Sequence, residues 1–220
     1  MTRRSWQEAW RYVVAAGALG ALLLLVGRRR TGWLAIGAAG LFVLFFRDPE
    51  RRLDPDPQVV YAAADGVVTA IEESVPDEWM PDKQALRITT FLNLHNVHVN
   101  RSPVVGEVTQ VESVRGGFAP ALWARSGDNT RRRVAIDGAG GRVVVVQVAG
   151  LLARRISGWV QQGERVVAGQ RLGMIHLGSR TDVLLPPGSV EVLVTPGARV
   201  RAGISELARY RARVTTSATS

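Results

Sequence analysis

The first fifty residues and the rest of the chain follow different hydrophobic patterns. Two apolar runs open the sequence, residues 12–27 (YVVAAGALGALLLLVG) and 31–46 (TGWLAIGAAGLFVLFF), separated by Arg28, Arg29 and Arg30. Each run is slightly short of the roughly 17–25 residues of a bilayer-crossing helix. Trp6, Trp10 and Trp33 flank them, as amphipathic rings do at a membrane interface. A secretory signal carries one apolar stretch and then a small-residue cleavage site, so the second run argues against one. The pattern predicts a helical hairpin over residues 1–47 that anchors the chain in a membrane, by spanning it or by dipping in from one face. A hairpin buried in a water-soluble core is the weaker alternative. Arginines stand at every end of the runs, so the positive-inside rule does not orient them. An even number of crossings would leave both ends on one side, expected to be the cytoplasmic face of the cell membrane.

The apolar pattern stops at Arg47-Asp48-Pro49-Glu50-Arg51-Arg52. Residues 48–58 read as a linker, because Asp54-Pro55-Asp56-Pro57 places two residues before proline, where the helical region is disfavoured. From residue 59 the period changes to that of strands. Short valine-rich segments at 66–71, 85–91, 133–136, 142–148 and 189–194 alternate with glycine and proline punctuation. They are too short and too β-branched for helices. Residues 150–156 are the one helical candidate. The last ten residues, 211–220, are expected to form a disordered tail.

The domain over 59–210 repeats itself. Residues 65–74 (DGVVTAIEES) resemble 105–113 (VGEVTQVES), and 163–169 (GERVVAG) resemble 197–203 (GARVRAG). Each unit is a strand with a glycine turn, since glycine alone takes positive φ without strain. The expected fold is therefore mainly β, a pseudo-symmetric sandwich or flattened barrel. Its G-x-x-V-x-x-G turns look like those of lipoyl- and biotinyl-carrier domains. Lys83 is the only lysine and does not follow such a turn, which excludes a lipoyl carrier.

Charge and composition narrow the partners. The 220-residue chain carries a formal net charge of +9, nearly all of it from arginine, and has no cysteine. Disulfides, thiolate nucleophiles and cysteine-ligated zinc are thereby excluded. The basic residues are too scattered for a nucleic-acid recognition helix. Beside an apolar N-terminus, an anionic membrane surface is the more economical partner.

Reactive polar residues are few. His95 and His98 lie in Asn93-Leu94-His95-Asn96-Val97-His98, and His176 is the third histidine. A spacing of three puts His95 and His98 on opposite faces of a strand, or on one face of a helical turn. Gly178-Ser179 is a common turn pair, yet it permits a particular chemistry. The Ser179 hydroxyl can attack the Gly178 carbonyl in an N-to-O acyl shift. β-Elimination of the ester then leaves dehydroalanine, which tautomerises to an imine that water hydrolyses, releasing ammonia and leaving a pyruvoyl group. A base must activate the hydroxyl, and a histidine oriented by an aspartate is the usual solution. Asp65, in Ala64-Asp65-Gly66, is the aspartate candidate.

Taken together these motifs resemble the phosphatidylserine decarboxylase family. Phe45-Phe46-Arg47-Asp48-Pro49, Ala64-Asp65-Gly66, His95-x-x-His98 and Leu177-Gly178-Ser179 occur in the family's order, and the match runs from about residue 40 to 205. The usual cleavage motif is L-G-S-T. Arg180 stands at its fourth position here, as in a short subgroup with a compact domain, some members of which act on other serine phospholipids. The resemblance implies that Asp65, His98 and Ser179 form the charge-relay set for self-cleavage between Gly178 and Ser179. It implies that residues 1–178 and 179–220 stay associated, with Ser179 becoming the N-terminal pyruvoyl cofactor. His95 corresponds to a histidine tied to decarboxylation; His176 inherits no role. The implied reaction is decarboxylation of phosphatidylserine to phosphatidylethanolamine through a Schiff base to the pyruvoyl ketone. Phosphatidylserine in an anionic membrane is then the partner, nucleic acid is not, and the chain is compatible with a homodimer.

Two other readings compete. A lysostaphin-like zinc peptidase also carries an A-x-D-G-x-V strand and a G-x-x-V-x-x-G-Q segment, as in residues 163–170. It needs H-x-x-x-D and H-x-H ligand pairs, and this chain supplies neither, so no metal site is expected. A non-enzymatic membrane-anchored β domain that binds partners would leave Asp65, His98 and Ser179 together by coincidence.

Overall fold

The computed structural model describes residues 2–117, 129–150, 155–176 and 179–211. Two helices form the expected hairpin, α1 (Arg3–Leu25) and α2 (Arg29–Phe45). α1 starts well ahead of the apolar run. The Thr2 hydroxyl caps it by accepting the Ser5 N–H. Its first turns carry polar residues because they pack on the β domain, where Ser5 and Ala9 are fully buried. Farther out, Leu19, Leu22, Leu25, Leu34, Leu41 and Leu44 are exposed. α1 is long and apolar enough to cross a membrane.

The strands in chain order are β1 (Val59–Tyr61), β2 (Gly66–Pro76), β3 (Gln84–Leu92), β4 (Val99–Arg101), β5 (Gly106–Val114), β6 (Arg131–Gly138) and β7 (Gly141–Ala149). They continue with β8 (Ile156–Gly158), β9 (Arg165–Val166), β10 (Arg171–Ile175), β11 (Ser179–Leu185), β12 (Val190–Val192), β13 (Arg199–Val200) and β14 (Glu206–Tyr210). Eight form one curled antiparallel sheet, ordered β13-β2-β3-β11-β7-β6-β5-β9. Two three-stranded sheets accompany it, β1-β14-β12 and β4-β10-β8. The helical candidate at 150–156 falls largely on residues outside those described, and Ile156 begins a strand. The expected tail beyond Arg211 also lies outside them.

The sequence repeats become a pseudo-twofold relation in this sheet. β2 with β13 forms one end and β5 with β9 the other. Each long strand has a register shift at the same place, between Val68 and Ala70 and between Val108 and Gln110. The backbone bonds match as well. Gly197 N–H donates to the Val68 carbonyl, and Gly163 N–H donates to the Val108 carbonyl. The last glycines of the two turns, Gly169 (φ 79°) and Gly203 (φ 64°), meet back to back. A Cβ on Gly203 would lie 2.9 Å from the Gly169 Cα. Both the left-handed backbone and this approach call for glycine there.

The valine strands are buried on both faces, which explains their nearly unbroken apolar character. Along β7, Val143 and Val145 enter the main core, while Val144, Val146 and Val148 pack in a second cluster with Met80 and Leu184. Along β11, Val183 and Leu185 point into the main core. A period of two places Ser179 and Thr181 on that same face.

Candidate active site

Ser179 begins β11, the fourth strand of the eight, between Leu92 of β3 and Ala149 of β7. It is fully buried, and its Oγ has no hydrogen-bond partner among the described residues. Leaving a buried hydroxyl unpaired costs about 1–3 kcal/mol. The Gly178 side of the expected scissile bond lies outside the described residues.

His98 is tied by its backbone to the end of β10, the strand that precedes β11 in the chain. The Ile175 N–H, at the end of β10, donates to the His98 carbonyl at 3.1 Å. Asn93 to Asn96 form a turn, closed by the Asn96 N–H to the Asn93 carbonyl at 2.9 Å. That turn separates the two histidines: His95 is exposed at its tip and His98 is fully buried just after it. His98 Nδ1 is 3.0 Å from the Asn96 carbonyl oxygen. A carbonyl only accepts, so Nδ1 carries the proton of the neutral ring and Nε2 keeps a lone pair. Burial pushes the His98 pKa down to about 4, with Arg47 and His176 pushing the same way; the Asn96 contact and the Asp65 charge oppose this. At neutral pH His98 is therefore an unprotonated base.

Asp65 precedes β2 and is buried. Its carboxylate receives two hydrogen bonds from the Arg51 guanidinium, at 2.6 and 2.7 Å, and the Ala202 N–H at 2.8 Å. Arg51 comes from the expected linker and also donates to the Ala202 carbonyl at 2.6 Å. Asp65 thus acts on His98 as a charge, while Asn96 orients the ring.

The linker is fastened at a second point. Asp48, wholly buried, accepts from the Thr2 hydroxyl at 2.6 Å, Arg101 at 3.2 Å and Arg171 at 2.7 Å. These bonds tie the start of α1 and the end of α2 to β4 and β10. The end of α2 then roofs the two buried histidines. Phe45 lies over His98 and Phe46 meets His176 edge-on, with ring centroids 4.4 and 5.2 Å apart.

Four functional candidates were not evident from the sequence. A buried polar chain runs from Arg132 to Gln147 Oε1 (3.2 Å), from Gln147 Nε2 to Asn100 Oδ1 (2.7 Å), and from Asn100 Nδ2 to Thr181 Oγ1 (3.0 Å). It ends two residues from Ser179 on the same strand face. Gln147, a lone polar residue in a valine strand, was its one visible signal.

A cavity of about 440 Å3 adjoins the histidine turn. Leu41, Phe42 and Phe45 of α2 line it together with Leu94, Arg47 and His95. Arg47 donates to the His95 carbonyl and closes one side. A larger cleft, of about 700 Å3 near Tyr210, contains none of the three histidines. The candidate chemistry and this larger cleft are therefore in different places.

Comparison with known proteins gives a consistent picture. The family model described as phosphatidylserine decarboxylase matches residues 38–207. A phosphatidylserine decarboxylase proenzyme of Symbiobacterium thermophilum is 44% identical over 206 residues, covering 92% of this chain and 94% of the relative. That of Azorhizobium caulinodans is 44% identical over 187 residues, covering 84% and 80%. That of Carboxydothermus hydrogenoformans is 38% identical over 210 residues, covering 94% and 96%. Among solved structures, the glucose permease IIA of Mycoplasma capricolum shares 14% identity at a TM-score of 0.36 and covers 72% of this chain, a likeness too slight to bear on fold or activity.

Proposed function

This chain belongs to the phosphatidylserine decarboxylase family, and we propose that it converts phosphatidylserine to phosphatidylethanolamine with a pyruvoyl group made from its own Ser179. The observation that carries the proposal is the Ser179 hydroxyl: buried, unpartnered among the described residues, and at the head of a central strand, in a chain whose His98 is a buried neutral base. A buried hydroxyl with no partner among the described residues, at a cost in stability, fits a nucleophile that is consumed when it acts.

His98 Nε2 takes the proton as Ser179 Oγ attacks the Gly178 carbonyl, and returns it to the departing amide nitrogen. The Asn96 carbonyl keeps Nε2 in its basic form. Asp65 stabilises the imidazolium that forms during the transfer, and Arg51 holds that carboxylate in place. Residues 1–178 leave as a carboxylate and stay associated through the sheet, where β11 is bonded to β3 and β7 on either side.

When in place, a pyruvoyl group supplies an electrophilic carbonyl that captures a primary amine and accepts the electrons released as carbon dioxide departs. The residues present suit it, because Ser179 is fully buried between strands on both sides. His95 stands outside that enclosure, at the rim of the apolar cavity against α2. A phospholipid lying along the exposed leucines of the hairpin would bring its headgroup there, and we assign His95, as the family resemblance implies, the protonation of the carbon that loses carbon dioxide. The hairpin serves as membrane anchor, with the catalytic domain on the cytoplasmic face.

The test is turnover. Purified full-length chain mixed with phosphatidylserine vesicles should release carbon dioxide and form phosphatidylethanolamine, and prior treatment with borohydride and amine should abolish this. Protein that is folded yet converts no phosphatidylserine would overturn the proposal.

A further inference from the structure

One cluster of titratable side chains lies beside the expected cleavage point and takes no part in the chemistry above. Glu8, on the second turn of α1, has only 14% of its side chain exposed. Its Oε2 is 3.4 Å from Arg155 NH2 and 3.6 Å from His176 Nε2. The same Nε2 lies 3.2 Å from the Ser157 hydroxyl. His176 is itself buried, three residues ahead of Ser179, and its N–H donates to the Arg155 carbonyl at 3.1 Å. Phe46 closes the remaining side of the ring.

The arrangement is unexpected for a membrane anchor. A glutamate on the polar turn of an anchoring helix is ordinarily left in water, where it costs nothing. Here the carboxylate is drawn under the β domain and aimed at a histidine on the segment leading to the nucleophile. Neighbouring contacts hold α1 against the same region: Arg4 donates to the Trp159 carbonyl at 3.1 Å, and Ser5 donates to the Phe46 carbonyl. At 3.6 Å the contact is too long for a short hydrogen bond, so the carboxylate reaches the ring as a field, opposed by the Arg155 and Arg11 charges. Facing Nε2, that field favours the tautomer with its proton there, leaving Nδ1 as the lone-pair nitrogen. His98 carries the opposite tautomer. The two rings differ because one meets a backbone carbonyl at Nδ1 and the other a carboxylate at Nε2.

We propose that Glu8 is a positioning residue for self-cleavage: by fixing His176 from the hairpin, it sets the segment entering Ser179, so that processing requires the seated hairpin. This rests on the self-cleavage proposed above. Glu8 does not touch the reacting atoms. It acts through His176, and its loss should slow the formation of the two chains without detaching the protein from membranes.

The experiment follows cleavage of freshly made full-length protein by intact mass, with flotation on phosphatidylserine-containing vesicles as a parallel readout. Glu8→Ala should split about tenfold more slowly than the wild type, in keeping with the rate cost of a small misplacement, while still floating. Glu8→Arg should be equally slow. The exchanged pair Glu8→Arg with His176→Glu places opposite charges at the same two positions and should return to within about threefold of the wild-type rate, a rescue that loss of packing alone would not give. Wild-type cleavage by Glu8→Ala would overturn the proposal, as would an exchanged pair as slow as Glu8→Arg. A wild-type chain that never splits at this bond would overturn the proposed function itself.

Discussion

The ring of Phe45, the last residue of α2, lies over the imidazole of His98 with 4.4 Å between centroids. The helical hairpin therefore supplies a wall of the site where the base is kept dry. Phe45→Ala should let water reach His98 and move its pKa from about 4 back toward the ordinary 6.5. The same substitution removes a buried ring and should cost about 3 kcal/mol of stability. Titration of the His98 ring by NMR in wild type and variant checks the shift.

The depressed pKa of His98 should set the pH dependence of the proposed self-cleavage. Its neutral form is the active one, so the rate should stay flat from pH 8 to well below 6.5 and fall only as the pH approaches 4. A histidine with an unshifted pKa would lose half its rate near pH 6.5. A rate–pH profile of newly made protein separates the two.

Folding stability should show the same groups. His98 and His176 are both held near 4 by burial, against 6.5 when unfolded. Between those values the unfolded chain binds more protons, so stability is full above pH 6.5 and declines as the pH falls toward 4. At about 1.4 kcal/mol per pKa unit, each ring withdraws roughly 3 kcal/mol across that window. Denaturation at several pH values should show the decline, and His176→Gln should reduce its slope by about half.

The Arg51–Asp65 pair makes a prediction of opposite kinds for its two members. Removing only the cation, as in Arg51→Ala, leaves a buried carboxylate unpaired and should cost about 3 kcal/mol. Asp65→Asn instead removes the charge that favours protonated His98, so cleavage should slow by more than the loss of stability explains. Thermal melts beside cleavage rates distinguish the two effects.

Much of this architecture was legible in the sequence. The valine segments marked four of the eight strands of the main sheet and one strand, β12, of a smaller sheet, and the paired glycine turns disclosed the pseudo-symmetry of the main sheet. Residues whose placement depends on distant partners were less visible. The polar opening of α1 reads as a solvated flank, because its burial comes from Phe46, Asp48, Arg155 and His176. Arg51 reads as one more charge ending an apolar helix until β2 brings Asp65 to it. The histidine spacing left two orientations open, and the turn at 93–96 decided between them by placing His95 outside and His98 inside. For Asp65, the sequence suggested a partner for His98, whereas the geometry gives its hydrogen bonds to Arg51 and Ala202 and leaves ring orientation to a backbone carbonyl. Local periodicity carries no information about such long-range pairings.

Everything in the proposed chemistry depends on Ser179 turning from nucleophile into cofactor, and the mass of the purified protein reports this directly. The account expects two chains, residues 1–178 and a smaller one that begins with a pyruvoyl group and gains mass with a carbonyl reagent, while Ser179→Ala remains one chain. A single intact wild-type chain that does not react with the carbonyl reagent would contradict it.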